Sequence, residues 1–184
     1  MVLLLSSSAT WSWLECDAGR RIALEERADS VVWARPFAAP AIEDVLSSRD
    51  IISTDEAVRE VHEATGGWPA LLDQVCQNAE GNDCRPAARR LADDLSACDS
   101  DFCREFFASI GLSACPEARP ALELMPDVLP AKEEDIADVL AGSFEMTTED
   151  FLPVLQYLQR ICALRSNDQG ELEVDPVVAA ALAR

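Results

Sequence analysis

The chain has 184 residues, 49% of them hydrophobic, and a formal charge of −19 from 34 acidic against 15 basic residues. That length and apolar content suit one large or two small packed domains and exclude a globally disordered chain. The acidic field works against nucleic acid and anionic membranes unless a local basic patch overrides it, and no apolar run approaches the roughly 20 residues needed to span a bilayer.

Val2 to Leu5 is a continuous aliphatic run closed by Ser6, Ser7 and Ser8, the pattern of a strand buried on both faces. Ser30 to Ala34, with Val31, Val32 and Trp33, is the other strand candidate, closed by Pro36. A short helix is expected between them, around Arg21 to Glu26. Two strands make a poor sheet. Residues 1–38 are therefore expected to be the trailing strands of a larger α/β core whose earlier part precedes this chain. A small sheet packed on the helical body and a swapped or dimeric sheet are the alternatives.

From Pro40 the pattern turns helical. Ala41 to Leu46 places Ile42, Val45 and Leu46 on one face. Ser53-Thr54-Asp55-Glu56 reads as a capping box with Ser53 as the cap, and Val58, Val61 and His62 follow at helical spacing. Gly66 and Gly67 end that helix, and Pro69 starts the next, where its missing N–H is not needed. Leu71, Leu72, Val75 and Cys76 form its apolar stripe, and Glu80 to Asp83 is a loop. Further amphipathic helices are expected over Ala87 to Leu95 and Phe102 to Ile110, with Gly111 as a C-cap and a short helix between Pro116 and Met125.

The last third has a different rhythm. Lys132 to Leu140 is helical with Ile136, Val139 and Leu140 facing inward, and Gly142 ends it. Thr147 to Asp150 caps a longer helix carrying Phe151, Leu155, Leu158 and Ile161, in which Pro153 is placed in the tolerant first turn. Cys162 to Arg165 and Glu171 to Val174 are two short strands around a hairpin loop, and Asp175-Pro176 opens a final helix. Helix, helix, hairpin, helix is the order of the latter part of a winged-helix domain.

With these residues in view, the chain resembles the C-terminal part of a STAND-type P-loop ATPase of the wider AAA+ group: end of core, helical lid, winged helix. Val2 to Ser7 is similar to the late core strand ending in a polar sensor position. Val32 to Phe37 and the helix after it are similar to the last core strand and its turn into the lid. Thr65-Gly66-Gly67-Trp68-Pro69-Ala70-Leu71-Leu72 is similar to the lid motif whose proline lies near the adenine. The resemblance implies nucleotide-proximal roles for Trp68, Pro69, Ser6 and Ser7 and a hinge at Gly66 and Gly67. It implies ATP or ADP only in a longer parent protein. No G-x-x-x-x-G-K-[ST] loop and no run of apolar residues ending in paired acids occurs in the sequence, so the chain alone is expected to be non-catalytic. A fragment of a longer protein is expected; a remnant that kept lid and winged helix is the alternative.

Each specific reading has a plainer counterpart. Pro69 and Trp68 can simply set the angle between two helices, Ser6 and Ser7 can be turn formers, and Arg20 and Arg21 can form surface ion pairs. His62 is the one imidazole and lacks the nucleophile elbow of a hydrolase. The seven cysteines, an odd number with no C-x₂-C pair, are expected to be mostly reduced, buried thiols of a cytoplasmic protein, with no metal site. Thr148 to Arg160, the candidate recognition helix of the winged helix, carries two acids and one base. That composition argues against DNA and for a protein partner, a basic one being the natural complement.

The expected fold is mainly α with small β elements: trailing core strands over 1–38, a helical lid-like bundle over 39–127 and a winged helix over 128–184. The expected function is a non-catalytic regulatory or interaction region of a nucleotide-switch ATPase, relaying nucleotide state to a protein partner or the rest of the parent chain. The alternative is a stand-alone acidic winged-helix adaptor or transcription-associated protein without nucleotide binding.

Overall fold

The computed structural model describes residues 35–97 and 100–182, together with Thr10 and Ser12. The expected strands Val2–Leu5 and Val31–Trp33, Ser6 and Ser7, and the arginines Arg20 and Arg21 lie outside the described residues. The protein is mainly α-helical, with one small two-stranded antiparallel sheet among the described residues. The described helices are α1 (Ala39–Ser48), α2 (Asp55–Thr65), α3 (Pro69–Gln77), α4 (Arg85–Ser96), α5 (Ser100–Ser109), α6 (Ala118–Leu124), α7 (Glu133–Ser143), α8 (Thr148–Arg160) and α9 (Pro176–Leu182). Strands β1 (Leu164–Ser166) and β2 (Leu172–Val174) lie between α8 and α9. Two compact units result: Arg35–Ser109 with Asp175–Arg184, and a second that includes Ile110–Val174.

In the first unit α2 lies against α4, and α1, α3, α5 and α9 pack around this pair. The core is mainly aliphatic, with Ile42, Leu46, Val61, Leu72 and Val75 each at most 1% exposed, and buried Trp68, Phe106 and Phe107 join it. The cap of α2 is Thr54, not Ser53. Thr54 Oγ1 accepts from the Ala57 amide at 3.3 Å, while Ser53 Oγ lies 2.9 Å from Ser47 Oγ. With Thr54 at the cap, Glu56 falls at the second helical position rather than the third, so the reciprocal half of a capping box is out of register. The last helix, expected to close the winged helix, joins this unit through Val177 and Val178 and packs on α4.

In the second unit α8 is central, with α7 and α6 packed against it. Phe151, Val154, Leu155, Tyr157 and Leu158 are fully buried, and the Tyr157 hydroxyl donates to the Gly111 carbonyl at 2.6 Å. Thr147 caps α8, accepting from the Asp150 amide at 3.2 Å. Pro153 stands inside the helix, beyond its first turn, so the Glu149 carbonyl lacks its i+4 donor. Strand β1 pairs with β2 in the register Leu164–Val174, Arg165–Glu173 and Ser166–Leu172. Asn167 organises the hairpin: its Oδ1 accepts from the Gln169 and Glu171 amides at 2.9 and 3.0 Å.

Helix α7 departs from expectation at two positions. Val139, expected to face inward, is 57% exposed, while Ile136, Ala137, Leu140 and Ala141 form the buried face. Gly142, expected to end the helix, lies within it. The left-handed closing residue is Glu145 (φ 55°), and the Met146 amide closes the turn on the Ala141 carbonyl at 3.0 Å. Asp50 (φ 57°) and Cys162 (φ 61°) close α1 and α8 in the same way, each in the place where glycine is favoured.

Candidate functional site: the Gly66–Gly67–Trp68 turn

The segment Thr65 to Pro69 joins α2 to α3. Thr65 is fully buried; its hydroxyl donates to the Val61 carbonyl at 2.7 Å and accepts from the Gly67 amide at 3.1 Å. The Gly66 amide closes α2 on the His62 carbonyl at 2.8 Å, and the Trp68 amide bonds the Thr65 carbonyl at 3.0 Å. The Val61, His62 and Thr65 carbonyls and the Gly67 amide at this helix end are thereby bonded within the turn. His62 itself is exposed.

Both glycines are left-handed, Gly66 at φ 57° and Gly67 at φ 76°. Their surroundings differ. A Cβ on Gly67 would stand 2.1 Å from the Phe37 carbonyl oxygen, and the Phe37 amide bonds the Gly67 carbonyl at 2.7 Å. A Cβ on Gly66 would meet Val177 Cγ2, the end of a side chain, at 2.8 Å. Gly67 is thus seated on the segment before α1, and Gly66 on the first turn of α9.

Trp68 is 6% exposed. Its ring meets Phe106 edge-on, with centroids 5.8 Å apart and planes at 84°, a favoured aromatic geometry. Its indole N–H donates to Asp175 Oδ1 at 3.2 Å. The same oxygen accepts from the Val177 and Val178 amides at 3.0 and 3.3 Å, capping α9. Pro69 opens α3 and is exposed. Of the pair expected near a nucleotide, Trp68 has its polar edge committed within the protein and Pro69 presents an open face. Ser6 and Ser7 lie outside the described residues. Sequence reasoning did not pair Phe37 or Asp175 with the turn. A buried indole needs an acceptor and Asp-Pro at a helix start supplies one, but nothing local links residues 107 apart.

No protein-family model matches the chain, and no curated protein or solved structure matches it.

Other polar clusters lie away from the turn. Asp83 is held by Arg85 through the backbone amide, Nε and Nη2 at 2.9 to 3.0 Å, which lowers its carboxyl to about 2 and raises the guanidinium. Arg49 bonds Asp73 at 2.7 Å. Cys76, Cys84, Cys103, Cys115 and Cys162 are not disulfide-bonded; Cys84, Cys103 and Cys115 are buried and the other two half-buried. Burial pushes Cys115 up to about 12 and raises Cys76 and Cys84. Among the described residues, no group of three or more His, Cys, Asp or Glu could hold a metal ion, and no helix is long and apolar enough to cross a membrane.

Proposed function

We propose that the chain is a non-catalytic regulatory and interaction region of a nucleotide-switch ATPase, in which nucleotide state is relayed through the Gly66–Gly67 turn to a protein partner. The reading is supported by one arrangement. The turn that resembles a lid motif is tied to the start of α9 at two points, Trp68 to Asp175 and Gly66 to Val177. A rotation at the two glycines must therefore either move α9 or break the indole–carboxylate bond, which is what a relay requires. In this reading Pro69 offers the face toward the adenine, Trp68 is the anchor behind it, and the phosphate-binding elements belong to a longer parent protein. Helices α7 and α8 and the hairpin after them serve as the winged-helix output, with α9 as the element the turn grips. Their acidic composition favours a protein partner over DNA.

The test uses the parent protein, extended to include the in-frame sequence upstream. Amide exchange is compared with ADP and with a non-hydrolysable ATP analogue. The expected result is a nucleotide-dependent change at Gly67, Trp68, Val177 and Val178. An in-frame stop codon directly upstream would contradict the proposal and favour a stand-alone acidic adaptor. Unchanged exchange at those four amides in the extended protein would contradict the relay.

A further inference from the structure

The first unit is built from two chain segments, which begin at Arg35 and Asp175. The Gly66–Gly67–Trp68 turn holds the start of both. Ahead of α1, the Phe37 amide donates to the Gly67 carbonyl at 2.7 Å, and a Cβ on Gly67 would overlap the Phe37 backbone. Ahead of α9, the Trp68 indole donates to Asp175 Oδ1, which also accepts from the Val177 and Val178 amides.

The two grips share one peptide group. The Gly67 carbonyl and the Trp68 amide belong to the same planar unit, so neither can turn without the other. Phe37 holds its oxygen, and the Thr65 carbonyl holds its N–H at 3.0 Å. The segment that carries Phe37 is stiff. Pro36 directly precedes it with a fixed φ, and Ala38 after it is extended at φ −74° and ψ 162°. The Ala38 carbonyl in turn accepts from the Ala41 and Ile42 amides at 2.9 and 3.1 Å, which ties the segment to the first turn of α1. A displacement at Phe37 therefore acts on the Gly67–Trp68 peptide, and through the indole on the cap of α9.

We infer that the Gly67–Trp68 peptide is a latch. While Phe37 holds its carbonyl, Trp68 stays on Asp175 and α9 stays docked; release of Phe37 frees the start of α9. The inference rests on the relay reading for its purpose, since it names where a signal enters the turn, but its test needs no nucleotide.

Amide exchange on the full chain provides the test. Phe37→Pro removes the donor and should speed exchange at Val177 and Val178 by about threefold or more, the equivalent of one hydrogen bond. The α4 amides of Leu91 and Leu95 should keep their rates. Phe37→Leu retains the N–H and should change Val177 and Val178 by less than about twofold. In a Trp68→Phe background, Phe37→Pro should add less than about twofold, because the link between them is already cut. Coupling is reciprocal, so Trp68→Phe alone should speed exchange of the Phe37 amide by about threefold or more. That readout does not depend on the proline variant folding. An unchanged Phe37 amide in Trp68→Phe overturns the latch, and the relay still stands if Val177 and Val178 respond. Unchanged Val177 and Val178 in Phe37→Pro also overturn it. So does equal acceleration at Leu91 and Leu95, which marks a global loss of stability rather than release of α9.

Discussion

Trp68 Nε1 donates to Asp175 Oδ1 across 107 residues of sequence, at 3.2 Å and with both residues 6% exposed. One carboxylate oxygen therefore anchors a ring in the middle of the chain and caps its last helix. Removing the indole N–H with Trp68→Phe should cost about 1.5–3 kcal/mol, the range for a hydrogen bond to a charged group. Asp175→Ala should cost about 2–4 kcal/mol, because it adds the loss of a helix cap to an orphaned buried N–H. Urea unfolding of the two single variants and the double variant checks this. A double-mutant coupling of about 1–2 kcal/mol is expected.

The two glycines should separate under substitution. Gly67→Ala drives a Cβ into the Phe37 backbone, which cannot rotate away, and it also strains a left-handed φ. The left-handed penalty alone is about 1–2 kcal/mol, and the clash adds to it. Gly66→Ala meets Val177 Cγ2 at 2.8 Å, a side chain rather than backbone, so its cost should exceed the left-handed penalty but stay below that of Gly67→Ala. Equal losses of stability in thermal unfolding would contradict this difference.

Helix α7 has its glycine and its left-handed residue in exchanged places. Gly142→Ala should stabilise by about 0.5–1 kcal/mol, and Glu145→Gly should stabilise by a similar amount, about 1 kcal/mol, by relieving φ 55°. The Glu145 amide bonds the Gly142 carbonyl at 3.5 Å, so the double variant should depart from the sum of the two gains in urea unfolding.

The Asp83–Arg85 clasp sets a pH dependence. Its carboxyl titrates at about 2 when folded, below the unfolded value of about 4. A depressed folded value means stability is present above about pH 4 and is lost as pH falls toward about 2. The stability difference between the wild type and Asp83→Asn should therefore shrink across that window and stay constant from about pH 5 to 7. Unfolding curves collected at each pH measure it.

Much of the helical order is legible in the sequence because apolar spacing and cap chemistry are local. Ile42 and Leu46, Val58 and Val61, Leu71 and Leu72, and Phe151 and Leu155 all reach the core as their periodicity predicts. The departures are also local competitions. Ser53 and Thr54 are both capping residues, and only the register of the backbone chooses between them. Val139 lies at the edge of the stripe formed by Ile136 and Leu140, where the width of the apolar face decides burial. Gly142 reads as a stop because glycine commonly ends helices, yet α7 closes on Glu145. At the candidate site the glycines, Trp68 and Pro69 are singled out by turn chemistry. Their seating on Phe37, Asp175 and Val177 is tertiary, and no spacing rule encodes it.

The most direct test of the relay is amide exchange on the full chain with Trp68→Phe against the wild type. If the turn and the last helix are mechanically coupled, protection at Gly67 and Trp68 and at Val177 and Val178 should fall together, while the amides of α7 and α8 keep theirs. Loss of protection confined to residues 66–69, with α9 unchanged, would contradict the account.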